Sequence, residues 1–349
     1  MKENNPFTLT FGEPPREYIS RYEHQDAVVS TFSAAHPVSR TFLIEGVRGS
    51  GKTVLMTKIS EELDSRGDWI ILNLNATNDL LEDMAERLSG INRKVSDVLD
   101  GGFNISVAGF GVGLGASKEP QSNLSIIRNA LAELQKKNKK LLITVDEVRH
   151  NENTKHFASE FQIMVREGYP LYLIMTGLYD QIYEIQNDPE LTFLLRSFKI
   201  SIEPLNKVQI RNQYSKIFDV GREVASMLAE MTGGYAFAFQ SLGMLYYEYR
   251  DTMDIDSITE KYEEMLYGYV YRKIWESLSD KDREVVLAMP DHPVKTREMC
   301  DALSMDSSIF SKYRDRLIKK GVMVSTKFGQ MTLALPRFRS VIQNYELDY

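Results

Sequence analysis

Gly46-Val47-Arg48-Gly49-Ser50-Gly51-Lys52-Thr53, GVRGSGKT, is the stretch on which the reading of this 349-residue chain turns. It matches in full the spacing glycine, four residues, glycine, lysine, then serine or threonine. Glycines let the main chain wrap closely, so that successive N–H groups at a helix N-terminus converge on an anion favoured by the helix dipole. Lys52 supplies a point charge between β- and γ-phosphates, and the Thr53 hydroxyl is a ligand for Mg²⁺. The motif follows an apolar run, Thr41 to Glu45 (TFLIE), and opens a helical pattern from Lys52 to Leu63, the context such a loop requires. The expected ligands are therefore ATP or ADP with Mg²⁺, cradled by residues 46–53 and Val54.

Further apolar runs, Trp69–Leu74 (WIILNL), Leu141–Val145 (LLITV) and Leu171–Met175 (LYLIM), are separated by helical patterns, with a weaker fifth run at Phe198–Ile202. Continuous apolar strands alternating with helices predict an α/β fold with a parallel sheet buried on both faces. The run LLITVDE ends in two carboxylates beside the glycine loop. Asp146 is placed to hold the Mg²⁺ shell and Glu147 to act as general base on water. Carboxylates after a strand also cap helices, and the pair draws its meaning from the loop.

With these motifs in place the sequence resembles the AAA+ P-loop ATPases, in the branch holding origin-recognition-type initiators and STAND signalling ATPases, over nearly its whole length. Ile19–Glu23 (ISRYE) resembles the family's N-terminal box near the adenine, with Ser20 in place of the usual glycine, and the resemblance gives Arg21 a nucleotide-side role. It puts Thr176 at the sensor 1 position and Arg196 where many members carry an arginine finger. The nearer alternatives are a strand-end cap and an ordinary surface arginine. Thr232–Phe237 (TGGYAF) resembles the Gly-x-Pro region near sensor 2, but Ala236 stands where proline is expected and no sensor 2 arginine is evident. Asn73 and Asn75 read as a polar switch for Glu147 or as turn formers.

The resemblance, with the change of pattern after Pro204, divides the chain into an ATPase core at 1–203, a helical lid at 204–278 and a winged helix at 279–349. The 94 residues from Lys52 to Asp146 leave room for an insertion, and the period-two run Gly101–Gly115 predicts a β-hairpin at about 101–117, suited to a partner or to its own domain. The tyrosine-rich stretch from Tyr246 to Trp275 reads as lid core before it reads as a base-stacking platform.

Composition narrows the rest. One cysteine, Cys300, cannot form an internal disulfide, and no apolar run approaches the roughly 20 residues of a membrane helix. A cytoplasmic location is expected, and the five histidines show no zinc spacing. The net charge is −7, but residues 280–349 carry twelve Lys or Arg against ten Asp or Glu. Ser279 and Thr296 read as N-caps of short helices, and a third helix at about 307–320 precedes a hairpin. That helix carries Lys312, Arg314, Arg316 and Lys319, with Lys327 on the wing, as DNA-binding candidates. The two functional expectations are an ATP-hydrolysing switch that associates with double-stranded DNA, and a signalling or defence ATPase whose winged helix and hairpin bind protein, with nucleotide governing homo-oligomerisation.

Overall fold

The computed structural model describes residues 5–10, 15–98, 122–326 and 329–347. The segment 101–117 and Lys327 thus lie outside the described residues.

Five strands, β1 (Thr41–Glu45), β2 (Trp69–Asn75), β3 (Lys140–Asp146), β4 (Leu171–Gly177) and β5 (Phe198–Ser201), form one parallel sheet in the order β2-β3-β4-β1-β5. Period-two alternation sends successive side chains to opposite faces. Phe42 and Ile44 of β1 pack with α1 (Tyr22–Ser33) and α2 (Lys52–Asp64), around Phe32, Leu55 and Ile59. Leu43 points the other way, into a core shared with α3 (Leu80–Val98), α4 (Asn123–Lys136), α5 (Glu152–Arg166) and α6 (Tyr179–Gln186). Both faces are covered, which is why the strands read as unbroken apolar runs.

The helical region expected to form the lid follows as α7 (Lys207–Phe218), α8 (Arg222–Met231), α9 (Ala236–Tyr249), α10 (Ile255–Leu266) and, after a π-helical turn at Tyr267–Tyr271, α11 (Arg272–Glu276). Tyr271 and Trp275 are buried there, while Tyr269 remains 64% exposed. A segment ahead of the sheet packs into this lid. The Phe7 ring lies 5.6 to 5.9 Å from those of Tyr214, Phe218 and Phe239. It occupies the space where a side chain on Gly243 would stand, its nearest ring carbon 2.5 Å from an ideal Cβ there.

The C-terminal unit runs α12 (Asp280–Ala288), β6 (Val294–Lys295), α13 (Thr296–Leu303), α14 (Ser307–Lys319), β7 (Met323–Ser325), β8 (Gln330–Leu333) and α15 (Phe338–Ile342). Its three strands form an antiparallel sheet in the order β6-β8-β7, with β6 between the first and second helices and β7 and β8 after the third. Ser279 caps α12 in a capping box with Asp282. Thr296 is not a cap, in contrast to its reading above. It is the first helical residue, behind Lys295, because the chain arrives there directly from β6. Lid and C-terminal unit share one continuous apolar cluster running from Leu205 to Ile342. Tyr271 sits at the seam, edge-on to Phe338 at 5.0 Å, its hydroxyl donating to the Pro336 carbonyl at 2.6 Å.

Candidate nucleotide site

Each carbonyl of the loop between β1 and α2 from Gly46 to Ser50 has a hydrogen-bond donor. Lys52 Nζ donates to the carbonyls of Gly46 and Val47 at 3.0 and 2.8 Å. The carbonyl of Arg48 accepts from the Tyr235 hydroxyl, and that of Gly49 from the Phe237 N–H at 3.0 Å, both from the start of α9. The carbonyl of Ser50 accepts from Arg21 Nη2 at 3.2 Å, while Arg21 Nη1 donates to the Glu203 carbonyl at 2.6 Å. Gly49 and Gly51 make the turn at φ of +74° and +93°, a region closed to most L-residues. With the carbonyls of residues 48–50 held by Tyr235, Phe237 and Arg21, N–H groups of the loop are left for an anion, and α2 adds the unpaired donors of its first turn. Ser50 Oγ is buried without a partner at the heart of the loop, an orphaned donor that a phosphate oxygen would satisfy.

Lys52 is only 8% exposed. Burial pushes its ammonium down to about 8, with Asp146 and Glu147 opposing the shift and Arg48 adding to it. A doubly or triply charged phosphate is the counter-charge this site lacks.

Across from Lys52, Thr53 Oγ1 donates to Asp146 Oδ2 at 2.7 Å, and the Thr176 hydroxyl donates to Asp146 Oδ1. The Glu147 N–H reaches Asp146 Oδ1 at 3.0 Å and Thr176 Oγ1 at 3.3 Å, and the Val148 N–H bonds the Thr176 carbonyl at 2.8 Å. These bonds hold Glu147 at a φ of +52°, unusual for a side chain with a Cβ and sustained here by its neighbours. The carboxylate is half exposed and faces the guanidinium of Arg48 at 3.8 Å. Hard oxygens from a hydroxyl and a carboxylate, side by side, suit Mg²⁺, which keeps most of its waters and takes phosphate oxygens. No group of three or more His, Cys, Asp or Glu side chains arranged to hold a metal ion occurs among the described residues.

The structure therefore brings Lys52, Thr53, Asp146, Glu147 and Thr176 together. Arg21 instead spends both guanidinium ends on main-chain carbonyls. Arg196 is exposed at the end of a 3-10 segment, Pro189–Arg196, leading into β5. Asn73 accepts from the Thr144 hydroxyl at 2.6 Å across the β2–β3 pair, so it is neither a partner of Glu147 nor a turn residue. Asn75 is a turn former, accepting from the Thr77 N–H and hydroxyl. The TGGYAF stretch by itself does not pick out Tyr235 and Phe237; the signal that marks them is the pair of glycines ahead of a helix, which the fold sets at positive φ.

Of the basic residues on α14, Arg316 is committed elsewhere. Its guanidinium grips Asp282, 1% exposed, at 2.7 and 2.9 Å, and the Ser279 hydroxyl at 2.9 Å. Lys319 lies over the Tyr183 ring of the core at 4.5 Å, and Arg314 pairs with Asp315. Lys312 is exposed. Gly321, just past α14, abuts Val47 and Tyr179, where an ideal Cβ would come within 2.3 Å of Val47. A cavity of about 460 Å³ opens between the loop, Tyr235 and Ala236 of the lid, and Lys319 and Val324 of the C-terminal unit.

A glycine loop after β1, a carboxylate at the tip of β3 and a hydroxyl on β4 between them define the phosphate-binding corner of a P-loop-type α/β fold. Comparison with known proteins agrees. Residues 17–179 match the family described as type III restriction enzyme, res subunit, and residues 268–342 match a domain of unknown function, DUF8462. No curated protein sequence matches. The fold is similar to that of a Walker-type ATPase of Pyrococcus abyssi, at 14% identity over 97% of this chain and 99% of that one, with a TM-score of 0.71. It is similar also to the ORC2 protein of Aeropyrum pernix, at 16% identity over 98% and 97% of the chains and a TM-score of 0.59. Cdc6p of Pyrobaculum aerophilum follows, at 14% over 96% of each chain and 0.50. Among the described residues no helix is long and apolar enough to cross a membrane.

Proposed function

We propose that the protein binds ATP with Mg²⁺ and hydrolyses it to ADP and phosphate, using the product state to reposition its lid. The observation that carries this is the anchoring of the Arg48, Gly49 and Ser50 carbonyls by Tyr235, Phe237 and Arg21, which supports a phosphate nest beside the buried Lys52. The Aeropyrum ORC2 protein of the same fold was solved with ADPNP and ADP, which supports the choice of ligand.

In this reading Lys52 exchanges its contacts with the Gly46 and Val47 carbonyls for phosphate oxygens. Thr53 and Asp146 would hold Mg²⁺, which when bound neutralises charge on the phosphate oxygens. Thr176 orients Asp146 and, through its contact with the Glu147 N–H, the general base. Glu147 takes a proton from a water whose oxygen bonds to the γ-phosphorus as that phosphorus parts from the β–γ bridging oxygen, which leaves on ADP. Arg196, exposed beside β5, is the arginine that would act on this centre from a neighbouring copy.

Titration of ATP into the protein tests the reading. Lys52→Ala should lose most of the affinity, whereas Glu147→Gln should bind ATP at least as tightly as wild type and turn it over at least about 100-fold more slowly. Equal affinity in Lys52→Ala would remove its basis.

For domains, we take 1–203 as the ATPase core, 204–278 as the lid and 279–349 as the winged helix. DNA association through Lys312 and Arg314 is the reading we propose for this last unit. It predicts duplex binding that weakens with salt and with Lys312→Ala. The engagement of Arg316 by Asp282 and of Lys319 by Tyr183 favours a second reading, in which the unit binds a protein partner and nucleotide governs assembly. ATP-dependent change in mass by light scattering, without DNA binding, would select it.

A further inference from the structure

The phosphate loop carries one charged side chain that the scheme above leaves idle. Arg48 is the second of the four variable residues of GVRGSGKT. Its guanidinium faces Glu147 at 3.8 Å, with the two side chains 46% and 53% exposed. Its carbonyl is the one the lid holds through the Tyr235 hydroxyl, and Tyr235 is itself only 5% exposed. Its charge is close enough to Lys52 to disfavour a second ammonium there. The lid's own turn, Thr232–Phe237, contributes no cation to this place.

These facts give Arg48 an anchored main chain and a mobile side chain. A half-exposed ion pair at 3.8 Å is weak and readily exchanged. A guanidinium and a phosphate, by contrast, make short, charge-assisted, two-pronged contacts. Because Tyr235 and Phe237 pin the carbonyls of residues 48 and 49, the exchange needs rotation of the side chain and no rearrangement of the loop.

We propose that Arg48 is the residue by which this protein tells ATP from ADP: its guanidinium neutralises Glu147 when no γ-phosphate is present, and moves to the γ-phosphate when one arrives. The carboxylate it releases is then free to accept the proton of a water, as a general base must be. The P-loop thus reads its own ligand in cis, on a residue whose main chain the lid holds. The inference rests on the ATPase reading above.

Calorimetric titration of the full chain with ADP and with a non-hydrolysable ATP analogue tests it without reference to turnover. Arg48→Ala should lose about tenfold or more in affinity for the analogue while ADP stays within about twofold. Arg48→Lys should recover part of the loss, since it keeps the charge and not the fork. Glu147→Gln should tighten the analogue by about two- to fivefold by removing the competitor, and that gain should vanish in the double variant with Arg48→Ala. Parallel losses for both nucleotides, or no change for either, would overturn the assignment. Wild-type protein that binds neither nucleotide would instead overturn the ATPase reading itself.

Discussion

Lys52 is a buried ammonium whose hydrogen-bond partners among the described residues are two carbonyl oxygens, and burial loosens its proton, to about 8. A bound triphosphate favours the charged form and raises that value. Below about pH 8 both free and bound protein carry the proton, and affinity is full. Above it the free protein has lost the proton that binding must restore, so affinity for ATP should fall, by up to about tenfold per pH unit, as pH rises from 8. Calorimetry at pH 9 in two buffers of different ionisation enthalpy should show proton uptake approaching one, against almost none at pH 7. Arg316 gives a second prediction at this scale. Replacing it with Ala strands the buried carboxylate of Asp282 and should cost about 2 kcal/mol in unfolding free energy, whereas Lys312→Ala should be neutral within about 0.5 kcal/mol. A DNA-binding test that includes Arg316 would therefore confuse misfolding with lost contact.

At the level of elements, what the sequence makes readable is whatever is local. GVRGSGKT, the five apolar runs and the carboxylates of LLITVDE each carry their meaning within ten residues, and all fall on the elements expected. What is not readable depends on pairing across the chain. Arg21 ends at residues 50 and 203, Arg316 reaches back to residue 282, and Asn73 is claimed by a strand neighbour 71 positions away. No periodicity encodes such partners; side-chain reach in the folded chain selects them. The packing of Phe7 against α9 belongs here too, and its fit is testable. Phe7→Ala should cost about 3 kcal/mol, and Gly243→Ala about 1–3 kcal/mol because the new methyl meets the ring. The double variant should cost clearly less than the sum, since the methyl then occupies vacated space. Strict additivity in urea melts would refute the contact.

On the scale of the whole molecule, lid and C-terminal unit share one apolar core, from Leu205 through Tyr262 and Tyr271 to Ile342, tied also by the Arg337–Glu263 ion pair. A fragment of residues 204–349 should therefore melt in a single transition, while residues 279–349 alone should be far less stable, having lost the lid side of Tyr271 and Phe338. Two separate transitions in the longer fragment would show independent units. The match of residues 268–342 to one family, starting inside the lid, runs along the same seam.

The grip of Tyr235 and Phe237 on the crest of the glycine loop has one more implication. The bridge consists of a phenol and a main-chain amide holding two neighbouring carbonyls, so any swing of the helical half away from the loop must give up both bonds together. Tyr235→Phe removes one of the two and halves the clasp.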